Sequence, residues 1–406
     1  MNQSPKNIYK GHISRLELEL DKLDKCSNQL SSIRGISFFI ALTLGSFNHY
    51  QNWFSPWWLA LFVLFFSILV LLHQIVANRQ HKARLKQSFF QQGLDRINGD
   101  WKKNQIEHNL GPVRNHLFAH DLEIFGRDSL FNLLCTAETQ TGKAQLQKWL
   151  CQTPFKDLIE SRQAGIKELT DQVDFRLNLY IEAAKLKDKS HSERLLSWVQ
   201  SPSNISKSQS LKYQLISWIL SISMGIGIFL WSYLNQPPIV FFCVLLSELI
   251  FYNFINKKLA PLFANMESPN KELNFISKLL KILEEKSFSS IFLQDLRKDL
   301  KKGSGIASKE INKFDKLIQR LDMQRNQLFA IFAYLFMWSV HYGLKIERWK
   351  SNHGEDIRLW IKTIGEFEAI SCVANYAFEH PTDVYPTIKT GPALFHGEEL
   401  GHPLMS

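Results

Sequence analysis

Two stretches of the chain carry almost no charge, and the rest is arranged around them. From Gly35 to Asn78 there is no Asp, Glu, Lys or Arg. From Tyr213 to Asn256 the only such residue is Glu248. A helix crosses the hydrocarbon core of a bilayer with about 20 apolar residues, so each stretch is long enough for two crossings. The first is interrupted at NHYQNWFSP, residues 48–56, where Pro56 can open the second helix. Trp53, Trp57 and Trp58 cluster there, as interfacial aromatics do. The second is interrupted at YLNQPP, residues 233–238. The pattern predicts two transmembrane helical hairpins, over 35–78 and 213–256, each closed by a short turn. A third apolar run, LFAIFAYLFMWSVHYGL at 328–344, is short for a crossing and contains His341. It reads as a buried helix; a fifth crossing is the alternative and would move the C-terminal segment to the other side of the membrane.

Outside these runs the apolar positions fall at helical spacing. ISRLELELDKLDKCSNQLSSI, within 1–34, alternates charges around an apolar face and reads as an amphipathic, coiled-coil-like helix. KELNFISKLLKILEEK and SKEINKFDKLIQRLDMQRNQL have the same character and are separated by KKGSG at 301–305. Only VYPTIKTGPALFHGEELGHPL, near the end, offers short β-branched or apolar pieces between Pro and Gly, as strands would. The expected fold is mainly α, a polytopic membrane protein with a helical core domain.

The charge refines this picture. The net charge of +10 favours polyanions such as nucleic acid or an anionic membrane surface. Much of it flanks the apolar stretches: Arg34 before the first hairpin and Arg79, Lys82, Arg84 and Lys86 after it, Lys207 and Lys212 before the second and Lys257 and Lys258 after it. Neither turn carries Lys or Arg. The positive-inside rule then puts both termini and the middle segment in the cytoplasm, with the cell (inner) membrane as the location. Glu248, an acid within a span, is a candidate functional residue by default; it is expected near the interface or bonded within the bundle. The cluster Arg297, Lys298, Lys301 and Lys302, at a helix end beside the Gly-rich break, is the candidate DNA contact. A solvated helix end, with cations favoured by the helix dipole, is the competing explanation.

Five scattered cysteines, Cys26, Cys135, Cys151, Cys243 and Cys372, show neither metal nor redox spacing and suggest a reducing compartment. The first thirty or so residues are polar and helix-forming, unlike a cleavable signal peptide. No catalytic motif is legible. Thr141-Gly142-Lys143 lacks the upstream glycine of a phosphate loop, with Ala137 in its place. His396 and His402 flank GEELG, which reads as a solvated loop rather than a metal site. No catalytic, cofactor or metal residue is assigned, and four spans with one acidic residue make a poor transport path.

DLEIFGRDSLFNLLCTAETQTGKAQLQKWLCQTP, residues 121–154, has an Asp121-Leu122 pair, a Ser129-Leu130 helix start, a Thr139 to Gly142 turn, and Trp149-Leu150 ahead of Pro154. Asp128 or Ser129 can cap the first helix, and the Thr139 turn opens the next, with Gly142 permitting close approach and Leu146, Trp149 and Leu150 forming an apolar face on which Trp149 and Leu150 are expected to pack into the core. IESRQAGIKELT follows at 159–170. This resembles the opening of the core domain of the MutS family of DNA mismatch repair proteins. RWKSNHGEDIRLWIKTIGEFEAISCVANYAFEHP, residues 348–381, resembles the helix that closes that domain, with Ile364 to Ala369 and Ser371 to Ala374 similar to the membrane-spanning branch. Gly401-His402-Pro403-Leu404 resembles the element that leads into the family's ATPase domain. The resemblance covers about 121–170 and 348–404 and is weak between them.

The resemblance implies a membrane-anchored core domain that couples an ATP-binding domain, not present in this chain, to DNA or a protein partner. ATP and Mg are implied for that absent domain only, and the chain alone is expected to be no enzyme. The family's mismatch-reading wedge is missing, so mismatch specificity is not expected. A non-enzymatic membrane scaffold is the other reading. The expected partners are the membrane, DNA and a second copy of the chain. The expected organisation is an amphipathic helix at 1–34, hairpin 1 at 35–78, a first core part at 79–212, hairpin 2 at 213–256, a second core part at 257–380 and the start of an ATPase domain at 381–406.

Overall fold

The computed structural model describes residues 4–51, 57–103, 116–187, 195, 197–199, 201, 205–264, 267–301, 305–392 and 394–405. Among these there is no strand, and the protein is mainly α. Four of its helices are long and apolar enough to cross a membrane, in agreement with the two charge-free stretches. The hairpin-1 turn, including Trp53, lies outside the described residues. The chain divides into two compact units: one of 1–134, 173–177 and 375–406, and one of 135–172 and 178–374.

The first unit is built on α1 (Pro5–Gln51) and α2 (Trp57–Asn98). Ser4 caps α1, its Oγ accepting from the Asn7 amide at 3.4 Å, and Pro5 occupies the first turn, where its missing N–H costs nothing. Neither helix breaks where the charge pattern changes, at Arg34 or Asn78. The polar half of each runs on into its apolar half. Inside lipid the backbone must stay hydrogen-bonded, which favours such continuity. The polar halves pack antiparallel: Tyr9 and His12 meet Phe90, and Asp24 accepts from Gln80 at 2.8 Å. Tyr9, Ile13, Leu16, Phe89 and Phe90 form a buried seam, whereas Phe38, Phe39, Leu61 and Leu64 are exposed, as lipid-facing residues are. Gly93 is needed here, since a Cβ would lie 2.3 Å from a Tyr9 ring carbon. A short helix, α3 (Leu130–Leu134), starts at Ser129, whose Oγ accepts from the Asn132 amide at 3.3 Å.

The second unit contains α4 (Gln140–Cys151), α5 (Lys156–Thr170), α7 (Lys207–Tyr233), α8 (Ile239–Ala264), α9 (Glu267–Glu285), α10 (Ile291–Asp299), α11 (Ala307–Asp322) and α12 (Gln327–Leu335). It shares α6 (Val173–Lys187) and α13 (Trp338–Glu379) with the first. α7 opens with a capping box between Ser206 and Gln209. α7 and α8 form the second hairpin. Tyr213 meets Phe251 and Phe254, while a Cβ on Gly227 would lie 3.2 Å from the Phe241 Cα. The two amphipathic segments expected between 271 and 327 lie in α9 and α11. A further helix, α10, stands between them, ahead of the Gly-rich break.

Two expectations need correction. The run 328–344 is not one straight helix. α12 and α13 meet at an angle of 72° across Phe336 and Met337. α12 alone has nine residues, about 14 Å of rise, too short to cross a bilayer, and only the bent pair of α12 and α13 together is long and apolar enough for a fifth crossing. The segment 381–392 and 394–405 holds no strand: Val384, Leu394 and Phe395 are exposed and the backbone has no ladder partner among the described residues. A strand is stable only when paired, so β-type composition alone does not make one.

Candidate functional site

Residues 138–149, around the start of α4, and residues 365–368 of α13 meet in the second unit. Thr139 caps α4, its Oγ1 accepting from the Gly142 amide at 3.0 Å. The same hydroxyl donates to the Glu368 carboxylate of α13. The amides of Glu138 and Thr139 donate to Glu368 as well, at 3.0 and 3.2 Å. Glu368 therefore closes the N-terminal end of α4, where the helix dipole favours an acid. The approach is close because two glycines line it. A Cβ on Gly142 would lie 2.5 Å from Glu368 Oε2, and one on Gly365 would lie 3.0 Å from the Thr141 carbonyl oxygen. Burial pushes the Glu368 carboxyl above its ordinary range, and the three donors pull it back only in part.

One turn away, Glu366 accepts from Gln145 Nε2 at 2.6 Å and from Trp149 Nε1 at 3.1 Å. The Arg162 guanidinium lies 4.1 Å from the Trp149 ring centre, and Phe292 meets the ring edge-on. Trp149 was expected as a core residue. It is half-buried instead, held between a cation and a carboxylate, while Leu146 on the same helix is fully buried. The indole N–H needs a partner, and Glu366 provides it at the surface rather than in the apolar interior.

Two arrangements were not legible in the sequence. Cys135 and Cys372, far apart in the chain, are both buried. The Cys372 sulfur accepts from the Thr136 amide and hydroxyl at 3.3 and 3.4 Å. Its hydrogen bond to Cys135, together with burial, pushes the Cys135 thiol up. In the first unit, Arg96 donates from Nε and Nη2 to both oxygens of Glu379, at 2.7 and 2.6 Å. Tyr9 adds a hydroxyl to Glu379 at 3.3 Å, and Arg176 donates to Asn375 at 2.7 Å. Burial first, and Glu379 second, push the Tyr9 hydroxyl above its ordinary range. A completed pair of this kind fixes geometry more than it adds stability, but losing one partner strands a buried charge.

The apolar hairpin of the second unit holds a polar spine. His341 of α13 lies 2.8 Å from Gln214 Nε2 and 3.2 Å from Ser221 Oγ. Ser221 also donates to the Phe336 carbonyl at 3.1 Å. That carbonyl is freed by the break between α12 and α13, and in an apolar medium it needs such a partner. Met337, at the break, has φ 50° and is fully buried. Glu248 was expected near the interface or bonded within the bundle. It is buried, and neither carboxylate oxygen has a hydrogen-bond partner among the described residues. It sits in the interior of α8, away from either helix end.

The candidate DNA contacts are placed unevenly. Arg297 is turned inward, donating twice to the Glu284 carbonyl at 3.1 and 2.7 Å. It thereby serves the C-terminal end of α9. Lys298 pairs with Asp295 at 2.8 Å, Lys301 is exposed, and Lys302 lies outside the described residues. His396 is exposed and 3.7 Å from Glu398, and His402 Nδ1 accepts from the Leu404 amide at 3.3 Å. Among the described residues no three His, Cys, Asp or Glu side chains are grouped as metal ligands. Compared with protein-family models, curated proteins and solved structures, the chain matches none.

Proposed function

We propose that this chain is the membrane-anchored core of a MutS-like protein, mismatch repair-related, which couples an ATP-binding domain to DNA or to a protein partner. One observation carries the reading: α13 joins the α12–α13 break, which is hydrogen-bonded to Ser221 of the apolar hairpin, to the Thr139 turn. From Trp338 to Glu368 is about 45 Å of uninterrupted helix rise. A displacement at either end is passed along a rigid rod, which is what a coupling domain requires. The closure of 138–149 on 365–368 also brings together the two stretches on which the family resemblance rests.

In this reading ATP and Mg belong to the ATP-binding domain that the core serves, and these 406 residues, which carry no phosphate loop, are expected to turn over no ATP by themselves. DNA contact is through phosphates, insensitive to mismatches and steeply dependent on salt, because counterions are released. The test is binding of homoduplex and mismatched duplex to the detergent-solubilised chain across a salt series. A variant with Arg297, Lys298, Lys301 and Lys302 changed to Gln serves as control. Weak, salt-dependent binding that falls in the variant supports the reading. Preferential mismatch binding, or binding unchanged in the variant, overturns its DNA arm.

The scaffold reading draws on a different observation. α1 and α2 pair through polar halves that extend well beyond their apolar segments, offering a long surface for another protein or a second copy of the chain. Absence of DNA binding at low salt, with a stable homodimer in solution, favours that reading.

A further inference from the structure

The strongest unassigned cationic site lies between α11 and α13. A cleft of about 400 Å³ is lined by Lys313, Lys316 and Arg320 from α11 and by Lys345, Arg348 and Trp349 from α13. Lys313 is paired with Glu310 at 2.7 Å. Lys316, Arg320, Lys345 and Arg348 have no ion pair among the described residues. Four unneutralised cations converging on one cleft repel each other, and an anion in the cleft removes that cost. The floor is apolar and rigid: Trp349 is buried against Phe314 and anchored by its Nε1 to the Glu310 carbonyl at 3.1 Å.

The position of the cleft selects the anion. Arg348 Nη2 lies 3.4 Å from Ser210 Oγ, one turn before the charge-free stretch of α7 begins at Tyr213. Gly343, just before Lys345, packs where a Cβ would be 2.8 Å from Leu259 and Phe263 of α8. On the other wall, the Arg320 carbonyl accepts from Trp338 Nε1 at 2.7 Å. Past Arg320 the chain enters α12, whose Ile331, Phe332 and Tyr334 are exposed. The cleft thus opens at the basic end of the second hairpin, where a bilayer around the charge-free stretch would place its phosphates. An apolar strip for acyl chains lies beside it. Trp338 and Tyr342 are aromatics of the interfacial kind.

We propose that this cleft binds the phosphate of an anionic phospholipid headgroup, independently of the function proposed above. Basic pockets at membrane-helix bases bind such headgroups through the same charge and depth matching. A free phosphate would use the same cations but not the apolar strip. A nucleic acid duplex would press against the bilayer surface before reaching the floor.

The test uses the full chain, delipidated in neutral detergent and titrated with phosphatidylglycerol or phosphatidylcholine, with bound lipid counted by native mass spectrometry. Phosphatidylglycerol is expected to bind at least about tenfold more tightly than phosphatidylcholine, with about fivefold lost per cation removed. The pairs Lys316→Gln with Arg320→Gln, and Lys345→Gln with Arg348→Gln, should each abolish most of the preference. Lys298→Gln with Lys301→Gln should leave it intact. If either pair fails to fold, Lys316→Gln alone, at an exposed position, carries the test. Equal binding of the two lipids, or equal loss in the Lys298 and Lys301 control, overturns the proposal. So does inorganic phosphate or a DNA oligonucleotide binding as tightly as phosphatidylglycerol and through the same cations.

Discussion

Glu368 shows what one buried side chain can decide. Its carboxyl is held above the ordinary range by burial, so the folded chain retains this proton at pH values where the unfolded chain has lost it. The contribution to stability is complete below the unfolded carboxylate pKa and declines as pH rises through the folded one. Thermal melts of the solubilised protein should show this slope, and Glu368→Gln should flatten it at a cost within about 1 kcal/mol. Glu368→Ala strands the Glu138 and Thr139 amides and the Thr139 hydroxyl, and should cost at least about 2 kcal/mol. Trp149 divides differently. Trp149→Phe keeps the ring beneath Arg162 but takes a donor from Glu366, at about 1 kcal/mol. Trp149→Ala should cost about 2 kcal/mol, less than a fully buried tryptophan because the ring is only half-buried. The Thr139 cap was legible because capping is local, set by residues three apart. Its acceptor on α13 was not, since 229 residues separate them and nothing in either segment names the other.

At the scale of elements, the crossing of α4 and α13 depends on the absence of side chains. Gly142→Ala would gain up to about 1 kcal/mol in helix propensity. The new methyl would meet Glu368, which three hydrogen bonds keep from moving aside. Overpacking of this kind costs about 1–3 kcal/mol, so the net effect should be destabilising, as a chemical-denaturation midpoint would show. The helices themselves were largely legible from their 3.6-residue period and caps. The break at Met337 was not. LFAIFAYLFMWSVHYGL carries neither Pro nor Gly near Phe336 and Met337, and the bend is held from outside, by Ser221 of α7, which donates to the Phe336 carbonyl. α10 was missed because a nine-residue helix offers too few turns to establish a face.

At the scale of the molecule, both hairpins were visible as missing charge, a signal that needs no partner. The interleaved units were not. Residues 173–177 and 375–406 join the first unit through tertiary pairing such as Arg96 with Glu379 and Arg176 with Tyr9, which composition does not announce. The basic faces of α11 and α13 could be read separately, Lys316 with Arg320 and Lys345 with Arg348, but not that they converge. The basic flanks predict that both termini lie on the cytoplasmic side, and cysteine labelling of intact cells checks it. Cys135 is a poor reporter because it is buried, and Cys26 is exposed. Cys26 should be protected from an impermeant reagent until cells are permeabilised. Labelling from outside would reverse the orientation.

The unbroken course of α1 through Arg34 has a mechanical consequence. From Pro5 to Arg34 the helix reaches about 45 Å beyond its apolar half. Hydrophobic mismatch is relieved partly by tilting of the spanning segment. With no hinge between the halves, a tilt of about 10° in the bilayer swings the far end by about 8 Å, by simple leverage over that length. In a bilayer that forces such a tilt, a change in membrane thickness would be felt as displacement near Tyr9.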